Sequence, residues 1–249
     1  MFTNDLADIM YVVMISVGVF MALIIFCFYF KKLAKPTNFI FDLVLVGIVA
    51  ILVGIVSSNL FQNLWDFIKN PKDYQYTGKM TFYGGLIGGV ITFIIGYFFS
   101  FKKLYGPAMQ EILIIAPGAI TLAHGLGRIG CFFAGCCYGI DTEEWYGVYF
   151  PCLERKVIPT QLFEAIFLLI LSAILLYLAF KKKFKYCMIV YLSSYSVFRF
   201  LIEYIRNDER GFKLFNIFSP SQSICLLIFI IIIPLFIIFK KVIYKENEK

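Results

Sequence analysis

Seven stretches of the chain are almost entirely apolar over about 20 positions each. A helix of that length, rising about 1.5 Å per residue, crosses the roughly 30 Å of hydrocarbon in a bilayer. The stretches are approximately 9–30, 40–60, 81–100, 111–131, 162–180, 186–202 and 221–239. The sequence therefore predicts an all-α, polytopic membrane protein with seven transmembrane helices, forming a single domain over residues 1–249.

The overall composition favours the same class of protein. The chain is 61% hydrophobic and 16% charged, whereas a soluble domain is about 45–50% apolar and about 25% charged. Disordered, collagen-like and disulfide-scaffold proteins are excluded on this ground. The net charge of +7 comes largely from lysines at the ends of the apolar stretches, with no basic stripe interleaved with aromatics. We therefore expect membrane lipid, and no nucleic acid, as a partner.

The basic residues between the spans predict an orientation. Alternate short segments, together with the C-terminus, hold 13 of the 23 lysines and arginines, while the opposite segments hold 8 and are longer and partly acidic. Because lysine and arginine in short flanking segments prefer the cytoplasm, we predict that the N-terminus lies outside and the C-terminus lies in the cytoplasm.

Two arginines lie within predicted spans, where each costs at least ~2.5–3.5 kcal/mol and normally faces the protein interior. From the helix rise, both belong in the outer half of the bilayer. Spacings of four, four and three align four polar residues on one helix face, namely Tyr195, Arg199, Glu203 and Arg206. That face is either an internal ion-pair ladder or, through its excess positive charge, a site for an anion. The other intramembrane arginine is Arg128.

Glycines are concentrated around Arg128 and at the start of the third span. The run 124–139 includes Gly127 and Gly139, and glycine is a poor residue for a helix interior. We expect irregular backbone there that lines a substrate cavity near the outer surface, with close helix contact as the alternative. Gly84 and Gly85 are more typical of helix packing, although Tyr83 beside them stands at the outer end of its span.

The single histidine and the cysteines are the remaining candidates for chemistry. His124 lies one turn before Arg128 and is either a hydrogen-bonding residue or a general base. Four cysteines fall on the outer side: Cys131, Cys136, Cys137 and Cys152. Their spacing does not match the paired C-x2-C pattern of zinc sites, and their disulfide pairing cannot be deduced. We therefore expect no metal and no cofactor.

Four motifs occur together in this chain. They are Tyr83-Gly84-Gly85-Leu86-Ile87-Gly88, Gly127-Arg128-Ile129-Gly130, Pro159-Thr160-Gln161-Leu162-Phe163-Glu164, and Arg199-Phe200 with Glu203 and Arg206, preceded by Tyr195. In order and spacing they resemble the bacterial prolipoprotein diacylglyceryl transferase family. The chain differs from the usual family residues at Tyr83, Cys131, Cys136 and Ile158, which is compatible with a divergent paralogue.

The resemblance implies a multi-pass enzyme of the bacterial cytoplasmic membrane with its active site facing outside. Such an enzyme transfers the diacylglyceryl group of phosphatidylglycerol to the lipobox cysteine of a prolipoprotein signal peptide, and it releases glycerol phosphate. The expected catalytic residues are Arg128, Arg199, His124 and Tyr83. The expected substrate-binding residues are Tyr195, Glu203, Arg206, Gly84, Gly85, Gly127 and Gly139. Two alternatives stay open: a non-catalytic protein that binds anionic lipid, and a transferase with a non-lipoprotein acceptor.

Overall fold

The chain is mostly helical in a computed structural model that describes residues 4–69, 71, 74–76, 78, 81–106, 108–207 and 218–238. The helices are α1 (Asn4–Lys32), α2 (Thr37–Lys69), α3 (Phe82–Gly96), α4 (Lys102–Tyr105), α5 (Met109–Phe133), α6 (Thr160–Tyr177), α7 (Cys187–Ile202) and α8 (Pro220–Ile238). A π-helical turn joins α3 to α4, and another extends α6. Two short antiparallel strands, β1 (Val148–Phe150) and β2 (Arg155–Val157), form a hairpin that the all-α prediction did not include.

Among the described residues, six helical stretches are long and apolar enough to cross a membrane when the π-helical and 3-10 turns are counted with the helices that they continue. They begin or end within a few residues of the first six predicted spans, because a long apolar run without an internal break is a strong local signal. The apolar part of α8 that the structure describes, Pro220–Pro234, is shorter. Several basic residues counted for the orientation, Lys240 and Lys241 among them, lie outside the described residues.

The helices divide into two compact units. The middle unit is Phe30–Ala108, and the main unit combines Met1–Tyr29 with Met109–Lys249. In the middle unit, α2 and α3 approach so closely that a Cβ on Gly84 would lie 2.6 Å from the Cβ of Phe61, and one on Gly85 would lie 3.3 Å from the carbonyl oxygen of Gly54. These glycines therefore permit close contact between two helices, and substrate binding by them stays a prediction.

In the main unit, α5 packs against both α1 and α6. A Cβ on Gly118 would lie 2.7 Å from Leu176, and Ser172 Oγ donates a 2.8 Å hydrogen bond to the Gly118 carbonyl oxygen. On the side of α1, a Cβ on Gly18 would lie 3.0 Å from the carbonyl oxygen of Ala123. The segment of α5 that carries the predicted site is thus held between two neighbouring helices.

The prediction of irregular backbone around Arg128 is wrong for most of the glycine-rich run. Helix α5 is continuous to Phe133, and the chain leaves the helix only after that residue. The poor helix propensity of glycine is outweighed because its small size allows close packing. A Cβ on Gly125 would lie 3.2 Å from Leu169, and one on Gly130 would lie 3.2 Å from the carbonyl oxygen of Tyr11.

Candidate active site

A buried carboxylate, Glu164, is the centre of a charged cluster in the main unit. Its side chain has no solvent exposure. One oxygen, Oε1, lies 3.2 Å from Nε of Arg128 and accepts a 2.8 Å hydrogen bond from the hydroxyl of Tyr195. The other, Oε2, lies 3.6 Å from a guanidinium nitrogen of Arg206. Groups from α5, α6, α7 and the segment after α7 therefore meet at one carboxylate.

The first turn of α6 holds Glu164 in place. Thr160 Oγ1 donates a 2.8 Å hydrogen bond to the carbonyl oxygen of Cys137, and Gln161 Nε2 donates a 2.9 Å bond to that of Cys136. Both side chains are fully buried. They join the start of α6 to the loop that follows α5, so that Glu164, one turn further along, faces Arg128.

Arg206 reaches Glu164 because the chain after α7 pairs with the loop after α5. Gly139 and Arg206 form an antiparallel bridge, and the backbone N–H of Ile140 donates a 2.9 Å hydrogen bond to the carbonyl oxygen of Ile205. Gly139 has no space for a side chain, since a Cβ there would lie 2.6 Å from that same carbonyl oxygen. The close approach of two backbones explains the glycine at this position.

Replacement of Gly139 by alanine is expected to lower the activity of the site at least tenfold and to destabilise the protein by about 1–3 kcal/mol, as overpacking does. The added methyl group would push Ile205 away and draw Arg206 off the Glu164 carboxylate. The measurement is turnover together with thermal unfolding in detergent. Gly47→Ala is the matched control, since a Cβ on Gly47 meets nothing within 4 Å; equal behaviour of the two variants would contradict the packing argument.

A second ion pair lies where α7 ends and α8 begins. A guanidinium nitrogen of Arg199 lies 2.6 Å from Glu203 Oε2, and the other donates a 2.9 Å hydrogen bond to Ser221 Oγ. Ser219 Oγ donates a 2.6 Å bond to Glu203 Oε1. Ser219 and Gln222 also form a capping box, in which each side chain accepts a hydrogen bond from the other's backbone N–H. The cap thus fixes the Ser219 hydroxyl, which contacts Glu203.

Positive charge exceeds negative charge in the cluster. Three guanidinium groups face two carboxylates: Arg128 and Arg206 pair with Glu164, and Arg199 pairs with Glu203. A buried polar atom, Gln161 Oε1, has no hydrogen-bond partner among the described residues. A net positive, largely buried site with several guanidinium donors is suited to a phosphate ester.

The structure brings together six of the predicted site residues: His124, Arg128, Tyr195, Arg199, Glu203 and Arg206. Gly127 precedes Arg128 on α5, and a Cβ there would lie 3.9 Å from Cγ1 of Ile15, an ordinary contact distance, so its binding role stays a prediction. The Tyr83 backbone belongs to α3 of the middle unit, and its side chain lies outside the described residues. The roles predicted for Tyr83, Gly84 and Gly85 stay predictions.

Sequence reasoning missed Glu164, Ser219 and Ser221. Glu164 stood inside the span predicted at 162–180, and an ionisable residue in an apolar span is itself a signal of function. The two serines belong to the sequence Ser219-Pro220-Ser221-Gln222, and S-x-x-Q with proline at the first helical position marks a helix start. Their contact with the ion pair of Arg199 depends on the packing of α7 and α8.

Three cysteine side chains meet where α5 ends. Cys131 is in the last turn of the helix, and left-handed backbone at Gly135 (φ 65°) and Cys137 (φ 64°) turns the chain back toward it. The Sγ atoms of Cys131, Cys136 and Cys137 all lie within 4.8 Å of one another. Hydrogen bonds from the thiols of Cys131 and Cys136 lower the pKa of Cys137, and nearby positive charge acts in the same direction.

Comparison with known proteins agrees with the motifs. A model of the prolipoprotein diacylglyceryl transferase family matches residues 4–238. A Clostridium tetani protein named phosphatidylglycerol–prolipoprotein diacylglyceryl transferase is 32% identical over 234 residues, which cover 91% of this chain and 90% of that protein. A Dehalococcoides mccartyi protein of the same name is 30% identical over 248 residues, covering 91% and 87%. A Clostridium perfringens protein, with that name and the number 2, is 37% identical over 154 residues, covering 59% and 57%. The chain belongs to the prolipoprotein diacylglyceryl transferase family.

Proposed function

We propose that this protein transfers the diacylglyceryl group of phosphatidylglycerol to the thiol of a lipobox cysteine in a prolipoprotein signal peptide. The observation that carries the proposal is that Arg128 and Arg206 both pair with the buried Glu164 while Arg199 pairs with Glu203, so that three arginines and two carboxylates form a positive, largely buried site for a lipid phosphate. The names of the relatives state the same two substrates.

Arg128 and Arg199 hold the phosphate of the lipid in this proposal. The sulfur of the acceptor bonds to the glycerol carbon of the diacylglyceryl group, the bond from that carbon to the phosphate oxygen breaks, and glycerol phosphate leaves with the electron pair. Negative charge therefore grows on the phosphate. Guanidinium groups already in place in a site with little water stabilise that charge in the transition state. Glu203 orients Arg199 through their ion pair, and Tyr195 donates a hydrogen bond to Glu164, which in turn pairs with Arg128.

His124 is the proposed acceptor of the thiol proton. Nε of Arg128 donates a 3.4 Å hydrogen bond to Nε2 of His124, and that contact occupies the lone pair which a base needs. A phosphate bound to Arg128 competes for the same N–H and frees the imidazole. Binding of the lipid thus leaves the His124 lone pair available to accept the thiol proton.

Replacement of His124 by alanine is expected to lower kcat by about 10²–10⁴ and to remove the rising limb of the pH–rate profile. Glutamine is the discriminating variant, because its side-chain oxygen accepts a hydrogen bond from Arg128 but takes up no proton at neutral pH. His124→Gln should be as slow as His124→Ala. Recovery of most of the activity in His124→Gln would make His124 a positioning residue.

The membrane arrangement completes the proposal. Seven spans, with the N-terminus outside and the C-terminus in the cytoplasm, put the cluster near the outer leaflet of the bacterial inner membrane. Both compact units serve one transferase domain, since the family match extends across both. A membrane-impermeant maleimide applied to intact cells should label the exposed Cys152. Labelling that occurs only in broken cells would mean that the protein has the opposite orientation in the membrane.

The decisive experiment uses purified protein with phosphatidylglycerol radiolabelled in its diacylglyceryl group and a lipobox peptide. We expect labelled peptide and release of glycerol phosphate, with neither when serine replaces the peptide's cysteine. Release of glycerol phosphate that does not depend on the peptide would favour another acceptor. Lipid binding with neither product would favour a non-catalytic protein. Rescue of a strain that lacks its own diacylglyceryl transferase tests the same activity in cells.

A further inference from the structure

We infer that Cys131, Cys136 and Cys137 form a binding site for a thiophilic divalent cation, with Zn²⁺ as the representative metal. Four residues separate Cys131 from Cys136, and Cys137 follows directly. This spacing differs from the C-x2-C pattern of common zinc sites. The structure nevertheless groups their sulfur atoms at the end of α5. The inference goes beyond the proposed transfer reaction and is independent of it.

The geometry of the three sulfur atoms is close to what a metal requires. Zn–S bonds are about 2.3 Å long, so two sulfurs of a tetrahedral site lie roughly 3.8 Å apart. The Sγ atoms here lie within 4.8 Å of one another. The required approach of about 1 Å at most is of the size that rotation about the Cα–Cβ bonds provides.

The backbone that carries the thiols is already fixed. The carbonyl oxygens of Cys136 and Cys137 accept hydrogen bonds from the buried side chains of Gln161 and Thr160. Cys137 itself adopts left-handed backbone, which is uncommon for a residue with a side chain. Groups that are ordered in advance lose less entropy when they bind, which favours binding at this loop.

The surrounding charge suits a thiolate site. Binding exchanges three thiol protons for one Zn²⁺, and three thiolates with one Zn²⁺ carry a net charge of −1. Arg128 and Arg206 both act electrostatically on Cys137, so positive charge from the neighbouring cluster offsets that excess. Soft thiolate ligands select Zn²⁺ and Cu⁺ over Mg²⁺ and Ca²⁺. Cys136 is exposed and its two neighbours are half-buried, which gives the ion a path from solvent.

Three protein ligands leave a fourth coordination position for water or another donor. Zinc sites with three protein ligands and an open position are typical of catalysis, whereas structural sites are closed by four. Cys152 is the nearby thiol to exclude as a fourth ligand. Its sulfur lies beside Gly135, 2.8 Å from the position of a Cβ on that glycine, but it is not within the sulfur cluster.

The test is a titration of the full-length protein in detergent, reduced with a phosphine, with Co²⁺ as the spectroscopic substitute for Zn²⁺. We expect one cobalt per chain, a near-ultraviolet thiolate-to-cobalt charge-transfer band, and loss of that band when Zn²⁺ is added. Cys131→Ser and Cys137→Ser should each raise the dissociation constant by about 100-fold or more, since even changes behind the ligands cost 10–100-fold.

Two matched controls lie outside the cluster. Cys152 lies beside Gly135 of the loop that carries the cluster, and Cys27 lies on α1. Cys152→Ser and Cys27→Ser should each leave the dissociation constant for Co²⁺ within about threefold of the wild-type value. Absence of the charge-transfer band, or an unchanged titration in Cys137→Ser, would overturn the site. A loss of cobalt affinity in Cys152→Ser as large as that in Cys137→Ser would also overturn it. A drop in the folded fraction, read from thermal unfolding, identifies a variant whose loss is structural; Cys136→Ser at the exposed position then provides the test. None of these readouts depends on lipid transfer.

Discussion

Replacement of Glu164 by glutamine is expected to lower transfer activity by about 100- to 1,000-fold. Glutamine keeps the shape of the side chain but removes its charge. Arg128 and Arg206 would then face each other in a buried site without their common counter-ion. Removing one partner of a buried ion pair costs about 3–5 kcal/mol, and we expect the loss both in unfolding stability and in the position of the guanidinium that holds phosphate.

The measurement for Glu164→Gln is turnover per folded molecule, with the amount of folded protein read from detergent-solubilised membranes. Asp141→Asn is the matched control, because Asp141 pairs with Arg155 at 3.1 Å in an exposed position where an ion pair contributes little to stability. If Glu164→Gln does not accumulate, Tyr195→Phe removes the hydrogen bond to the same carboxylate oxygen and should cost roughly tenfold or more. Wild-type turnover in both variants would contradict the central role of Glu164.

Replacement of Arg128 by alanine is expected to lower transfer activity by about 10³-fold or more. Removing one hydrogen-bond donor to a developing negative charge typically costs about 10²–10³, and Arg128 also orients His124 and pairs with Glu164. Lysine keeps the charge but lacks the planar pair of donors, so Arg128→Lys should recover only part of the loss. The loss should appear mainly in kcat, since the charge grows in the transition state.

The control for Arg128→Ala is Arg155→Ala, an exposed arginine paired with an exposed carboxylate, which should keep activity within about threefold. A double variant of Arg128→Ala with Glu164→Gln gives a further check. Because the two side chains act as one unit, the double variant should be little slower than the slower single variant. Independent, multiplying losses would mean that the two residues contribute separately.

Much of the fold and part of the site followed from local properties of the sequence. The positions of six long apolar helices could be predicted because span length and hydropathy are properties of consecutive residues. Arg128 and Arg199 stood out because charge inside a span is costly wherever the chain goes next. Helical spacing correctly placed Tyr195 and Arg199 on one helix, α7. It was wrong for Arg206, which lies beyond the end of α7 in extended backbone and reaches the site through its pairing with Gly139.

What only the tertiary structure decided is which of these groups share a partner. Glu164 meets Arg128, Tyr195 and Arg206 across separate helices and a loop, at sequence distances for which no spacing rule exists. The thiol cluster likewise depends on the left-handed backbone after α5. That backbone brings three sulfur atoms together although the spacing of their cysteines differs from that of common zinc sites. The sequence alone determines which segments can lie in the bilayer, because the free energy of transferring a segment into lipid is a sum over its own residues. Contacts between distant segments depend instead on how helices pack, and that is a property of the whole fold.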